Sequence, residues 1–120
     1  EINSNSIVFS FNYDNHRVLF TGDMTIEEEN DIIRSYSNFL ESEVLKVAHH
    51  GSKTSSSDEM LNLIKPKYSI VSVGLNNNYG LPDDEVIERL RCYGEIYETR
   101  YTGNIEFSFF GNKLFIQKYR

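Results

Sequence analysis

The stretch Val44-Leu45-Lys46-Val47-Ala48-His49-His50-Gly51-Ser52-Lys53-Thr54-Ser55-Ser56 decides how this sequence is read. Its first part, residues 43–48, is an apolar run that predicts a strand. The strand ends abruptly in two imidazoles, a glycine, a serine and a lysine, followed by a run of hydroxyl residues. Two other places share that form, polar chemistry starting where an apolar strand stops. They are Thr21-Gly22-Asp23, and Val73-Gly74 through Tyr79-Gly80. In layered α/β folds ligands collect beyond the carboxyl ends of the strands. If the three strands are parallel neighbours, Asp23, His49, His50 and Ser52 rise to one edge.

Outward from this centre, elements alternate. Residues 6–12 alternate Ile7, Phe9 and Phe11 at period two, Asp14-Asn15 is turn chemistry, and residues 17–21 predict a second, more buried strand. Residues 25–40 are the clearest helix. Thr25 and Glu28 fit a capping box, Glu27 to Glu29 suit the positive end of the helix dipole, and Ile26, Ile32, Ile33, Tyr36, Phe39 and Leu40 supply an apolar stripe. A short helix over 58–64 starts at a Ser57 or Asp58 cap. Pro66 breaks the chain, and residues 68–73 form a strand of the buried kind. Pro82 suits the first position of a helix running to about Cys92. A short strand over 95–99 and a hairpin of 105–110 with 113–118 around Gly111-Asn112 complete the chain. This order predicts an α/β layered fold with a mixed sheet. The chain opens in polar residues directly before a strand, with no element leading in, so a missing N-terminal portion is expected.

Composition narrows the function classes. Hydrophobic residues make up 39% of the 120 residues, enough for a core, and the length allows one domain or part of one. Lys and Arg number 12 against 18 Asp and Glu, for a net charge of −6. Such a balance argues against broad, non-specific nucleic-acid binding, which rests on basic surfaces. No apolar run approaches a membrane span, so this segment is expected to make no membrane contact. One cysteine, Cys92, cannot form an internal disulfide. A reducing cytoplasm is therefore the default for a soluble form, with a membrane-attached parent left open.

A carboxylate and imidazoles at one edge suit a divalent transition metal such as zinc or manganese. Each element also has a plainer reading. Asp23 after Gly22 fits a turn or cap, and the two histidines fit a pair capping the next helix. His16 reads as an exposed turn residue and Cys92 as a small core residue. Lys46, Lys53, Lys65 and Lys67 read as solvated surface, with Lys53 well placed for an anion. The run Thr54 to Ser57 lacks a visible base and reads as loop and cap.

Together, Asn5-Ser6-Ile7-Val8, Leu19-Phe20-Thr21-Gly22-Asp23, the 44–56 stretch, and Ile70-Val71-Ser72-Val73-Gly74 with Asn77-Asn78-Tyr79-Gly80 resemble the metallo-β-lactamase superfamily. More narrowly they resemble the hydrolase domain of ComEC-type DNA-uptake proteins and their soluble relatives. The resemblance covers most of residues 5–92. It implies the C-terminal half of an αββα sandwich, a mixed β-sheet flanked by helices, with the metal centre on one edge. Residues 1–120 would then be a partial domain. Asp23 matches the family's metal-bridging aspartate. His49 and His50 match its active-site pair, one beside the metal and one beside the substrate, with His49 counted among the metal ligands. Ser52 and Lys53 would contact an anionic group, and Asn77 and Tyr79 would line the same mouth.

Two departures stand out. The superfamily's His-x-His-x-Asp-His signature is absent from this chain, and Leu81 stands where the family's Tyr-Gly-His-Pro places a metal ligand. The resemblance implies part of a metal-dependent hydrolase acting on a phosphodiester, with single-stranded DNA as the expected partner. The 120 residues alone, with an incomplete ligand set that leaves metal occupancy open, are expected to be inactive. Two alternatives remain: a degenerate binding module without turnover, and a hydrolase of a non-nucleic-acid ester or lactone. A half-domain also exposes apolar surface, so self-association is expected.

Overall fold

Alternating apolar residues and an Asp14-Asn15 turn give the first element pair, an antiparallel hairpin of β1 (Phe9–Tyr13) and β2 (His16–Phe20). The computed structural model describes residues 6–119; Asn5, quoted for the family resemblance, lies outside them. From β2 the chain runs through α1 (Ile26–Tyr36), β3 (Val44–Lys46), α2 (Asp58–Ile64), β4 (Tyr68–Val71), α3 (Asp84–Arg91) and β5 (Glu95–Glu98). A single turn, α4 (Thr99–Thr102), leads into the hairpin of β6 (Asn104–Phe110) and β7 (Lys113–Tyr119). Strands β2 to β5 are parallel, and with antiparallel β1 they form a five-stranded mixed sheet in the order β1-β2-β3-β4-β5.

That order never reverses, so right-handed crossovers put all three connecting helices on one face. Leu19, Leu45, Val47 and Val71 meet Met24, Met60, Leu61, Ile64, Val86, Ile87 and Leu90 there in one buried cluster. The opposite face carries Phe9, Phe11, Val18, Phe20, Lys46, Tyr68 and Tyr97 by register. The β6–β7 hairpin covers part of it. Phe109 lies 4.6 Å from the His16 ring and 6.5 Å from Tyr13, and Phe107 lies 6.2 Å from Tyr68. Phe9 stacks on Phe20 at 4.6 Å, yet Phe9 and Phe11 remain 52% exposed. The architecture is a mixed sheet flanked by helices, with a two-stranded sheet facing it.

Local chemistry sets the helix ends as predicted for α1 and α2. The Thr25 N–H donates to the Glu28 carboxylate at 3.2 Å in a capping box, and Ser57 Oγ accepts the Met60 N–H at 3.2 Å. Other expectations need correction. α3 begins at Asp84 with Asp83 as its cap, because Pro82 is committed to packing against Gly51. Cys92 is exposed at the end of α3, since the buried stripe there is Val86, Ile87 and Leu90. Tyr36 and Phe39 are exposed, so the apolar stripe of α1 serves the core only through Ile32, Ile33 and the following Leu40. His16 is buried, not exposed, because Glu43, the Gly111 carbonyl and the Phe109 ring close around its imidazole.

Candidate active site

The three loops singled out in the sequence leave β2, β3 and β4, which are parallel neighbours, so all three start from the same edge of the sheet. Hydrogen bonds stitch them together. Thr21 Oγ1, buried, donates to the Lys46 carbonyl at 2.7 Å, tying the end of β2 to β3. One residue on, the Gly22 carbonyl accepts the His49 N–H at 2.9 Å. The Val47 N–H donates to the Ile70 carbonyl at 2.9 Å on the other side. Asp23 therefore leaves the loop that is bonded to the backbone of His49.

β3 does not continue to Ala48 as the apolar run suggests. The chain tightens into a 3₁₀ turn over Ala48–Gly51, in which His49 and His50 take the left-handed conformation at φ 50° and 55°. Two consecutive non-glycine residues there cost about 1–2 kcal/mol each. Gly51 follows at φ 83°, where a Cβ would stand 2.5 Å from Pro82 Cβ. No side chain fits. The turn swings the histidines apart in role. His49 is half-buried, with Nδ1 at 3.4 Å from Thr54 Oγ1. His50 is exposed and its Nδ1 lies 2.7 Å from the Ser72 carbonyl. A carbonyl only accepts, so Nδ1 carries the hydrogen and Nε2 keeps a lone pair for a proton or a cation.

His50 lines a cleft of about 200 Å³ with Val73, Gly74, Asn77, Tyr79 and Leu81. Asn77 holds the loop itself together. Its Nδ2 donates to Leu81 O at 2.7 Å and Gly74 O at 3.1 Å, and its Oδ1 accepts the Tyr79 and Leu81 N–H groups at 3.1 Å each. That leaves little of the side chain for a ligand. Tyr79 stands largely in solvent. Ser52 is buried, with Oγ engaged by the Thr54 hydroxyl at 2.9 Å and the Thr54 N–H at 3.2 Å. Lys53 is exposed, and its ammonium makes no ion pair among the described residues.

Three further residues shape this edge. Glu29 on α1 is 1% exposed, and its carboxylate accepts the Ser57 N–H at 3.0 Å and the Ser56 N–H. Asp83, the cap of α3, accepts the Lys53 N–H at 2.7 Å. Lys46 was read as solvated, but it is half-buried on the sheet's second face. Burial there lowers its pKa, the nearby Asp23 carboxylate acting against the fall. Nothing in a single sequence marks Glu29, because an acid in a first helical turn is ordinary dipole chemistry.

A family model described as the metallo-beta-lactamase superfamily matches residues 3–74. The chain belongs to the metallo-β-lactamase superfamily. Within it this is a ComEC-like domain, similar to named competence and recombination proteins. Recombination protein 2 of Haemophilus influenzae is 36% identical over 119 residues, covering 98% of this chain and 15% of that protein. Competence protein ComA of Neisseria gonorrhoeae is 37% identical over 91 residues, covering 75% and 13%. ComE operon protein 3 of Bacillus subtilis is 32% identical over 108 residues, covering 89% and 14%. The chain thus spans 13 to 15% of the length of these relatives. No solved structure matches it significantly.

The superfamily generally uses divalent metals, so the fit of this metallo-β-lactamase edge to such an ion can be tested on its donors. Asp23 and one imidazole of the His49–His50 pair are suitable donor types. Among the described residues, however, no three His, Cys, Asp or Glu side chains gather as a metal cluster, and Leu81 fills the position beside His50. The fit is partial: these residues can supply part of a coordination shell and not the whole.

Proposed function

We propose that this chain is the C-terminal portion of a metallo-β-lactamase domain, and that the complete domain is a hydrolase acting on a phosphodiester, single-stranded DNA first among them. The observation that carries this reading is the His50 side chain, held through Nδ1 by the Ser72 carbonyl so that Nε2 is free at the same sheet edge as the Asp23 loop. The names of two relatives, a competence protein and a recombination protein, support DNA as the substrate class. The remaining metal donors would come from residues outside this chain. Zinc or manganese bound there supplies charge neutralisation on a phosphate oxygen and acidification of water.

The residues of this chain have separate tasks in this reading. Asp23 and one histidine of the pair, His49 in the family pattern, complete the cation's shell. His50 holds or donates a proton at Nε2 toward the leaving oxygen. The Lys53 ammonium, exposed and without an ion pair among the described residues, meets the anionic group. Ser52 holds the turn through Thr54 and would reach substrate only by surrendering that bond. The strained, glycine-locked turn keeps both imidazoles placed before substrate arrives, which lowers the entropy cost of the reactive geometry.

One observation favours a second reading. Leu81 lines the cleft beside His50 and cannot bind a cation. A metal-free binding module that keeps the fold would look the same at this position. The deciding experiment uses the full-length protein, with its metal content measured and a labelled single-stranded DNA as substrate. Turnover that a chelator removes and added metal restores supports the hydrolase. Stoichiometric DNA binding without metal or turnover supports the module.

A further inference from the structure

His16 lies at the amino end of β2, away from the sheet edge that carries Asp23 and His50, and it is only 5% exposed. Its Nδ1 is 2.6 Å from Glu43 Oε1, and its Nε2 is 2.9 Å from the Gly111 carbonyl. Gly111 is the tip of the β6–β7 hairpin, and Phe109 of the same hairpin packs on the imidazole at 4.6 Å. Both ring nitrogens therefore face acceptors. A carboxylate and a carbonyl have no hydrogen to give, and a neutral imidazole has only one. One of the two contacts would then set lone pair against lone pair. The imidazolium satisfies both.

We propose that His16 is a proton-dependent latch that holds the β6–β7 hairpin on the sheet, closed when the ring carries two protons and loosened when it loses one. Release would free the sheet's second face at Tyr68 and Tyr13, against which Phe107 and Phe109 now lie at 6.2 and 6.5 Å. The charges around the ring suit this role. Glu43 precedes β3, Asp14 sits in the β1–β2 turn, and Glu41 and Arg17 line the shallow cleft beside it. Arg17 is occupied by the Phe39 and Glu41 carbonyls and by Asn12. The hairpin itself offers Phe109 and the Gly111 carbonyl, neither of which titrates. The hydrogen bond to Glu43 raises the pKa of His16 above its ordinary 6.5; burial opposes the rise, and the Gly111 carbonyl and the charges of Glu43 and Asp14 reinforce it. A raised folded-state pKa contributes stability that is fully present below the unfolded value of 6.5 and is lost as pH rises through the folded value.

The test is amide hydrogen exchange on the 120-residue chain across about pH 6 to about pH 9, corrected for intrinsic rates, with His16 titrated by NMR in the same samples. Protection in β6 and β7 should fall as pH rises, about tenfold for each pH unit by which His16 titrates above its open-state value, while β3 and β4 keep theirs. In Glu43→Gln the amide can donate to a neutral Nδ1 while Nε2–H serves Gly111, so the hairpin should stay protected and lose its pH dependence. The proposal is overturned if His16 titrates at or below its ordinary value, if hairpin protection is flat with pH, or if the variant keeps the wild-type profile. The wild-type titration decides the matter by itself should the variant fail to fold.

Discussion

The carboxylate of Glu29, buried on α1, accepts the backbone N–H of Ser57 at 3.0 Å across 28 residues of chain. The same carboxylate takes the Ser56 N–H, and the Ser55 hydroxyl beside it donates to the Met24 carbonyl at 2.5 Å. α1 thereby anchors the far end of the loop that starts at His49. Replacing Glu29 by Ala leaves two N–H groups without a partner, each costing about 1–3 kcal/mol. Glu29→Ala should lower unfolding stability by about 2–4 kcal/mol in urea, and Glu29→Gln, which keeps one acceptor, by about half of that. A loss of less than about 0.5 kcal/mol for the Ala variant would show that solvent replaces the carboxylate freely.

Gly51 cannot carry a side chain where it stands, at positive φ and 2.5 Å from Pro82 for any added Cβ. Gly51→Ala should cost about 1–3 kcal/mol and lower the melting temperature by about 4 °C or more. The same change should shift the NMR signals of His49 and His50 far more than those of His16. Unchanged imidazole signals would mean that the turn does not depend on the Gly51–Pro82 contact.

Metal binding by the 120-residue chain should be weak, since its donors fall short of a full shell. After dialysis against zinc and gel filtration, elemental analysis should find well under one equivalent per chain. In the full-length protein, Asp23→Asn and His50→Ala should each lower metal-dependent turnover by about 100-fold or more. A tightly held equivalent of zinc in the short chain would refute the partial-shell reading.

Leu81 and His50 line one cleft, so a ligand introduced at 81 has a neighbour to work with. Leu81→His should raise the zinc affinity of the full-length protein about tenfold or more, read by competition with a chelating dye. An unchanged affinity would place the metal edge away from this cleft. The variant is also a test between the two functional readings, because a degenerate module gains metal only if its other donors survive.

Much of the architecture was readable along the chain because it is set by short-range chemistry. The Thr25–Glu28 box and the Ser57 cap act within one turn. The alternation of strand and helix predicted a layered α/β fold, and the condition for a common edge, that β2, β3 and β4 be parallel neighbours, is met. Family pattern then pointed to Asp23, His49 and His50. What the chain could not disclose depends on partners distant in sequence. His16 looked like an exposed turn residue until Glu43 and Gly111, the latter 95 positions on, closed around it. Glu29 looked like a dipole acid, Lys46 like solvated surface and Cys92 like core. Asn77 lines the cleft beside His50, yet its amide is spent on the loop. Periodicity reports which face a residue is on, and composition reports its chemistry. Whether a polar group is buried, and which acceptor meets it there, is decided only when the layers pack.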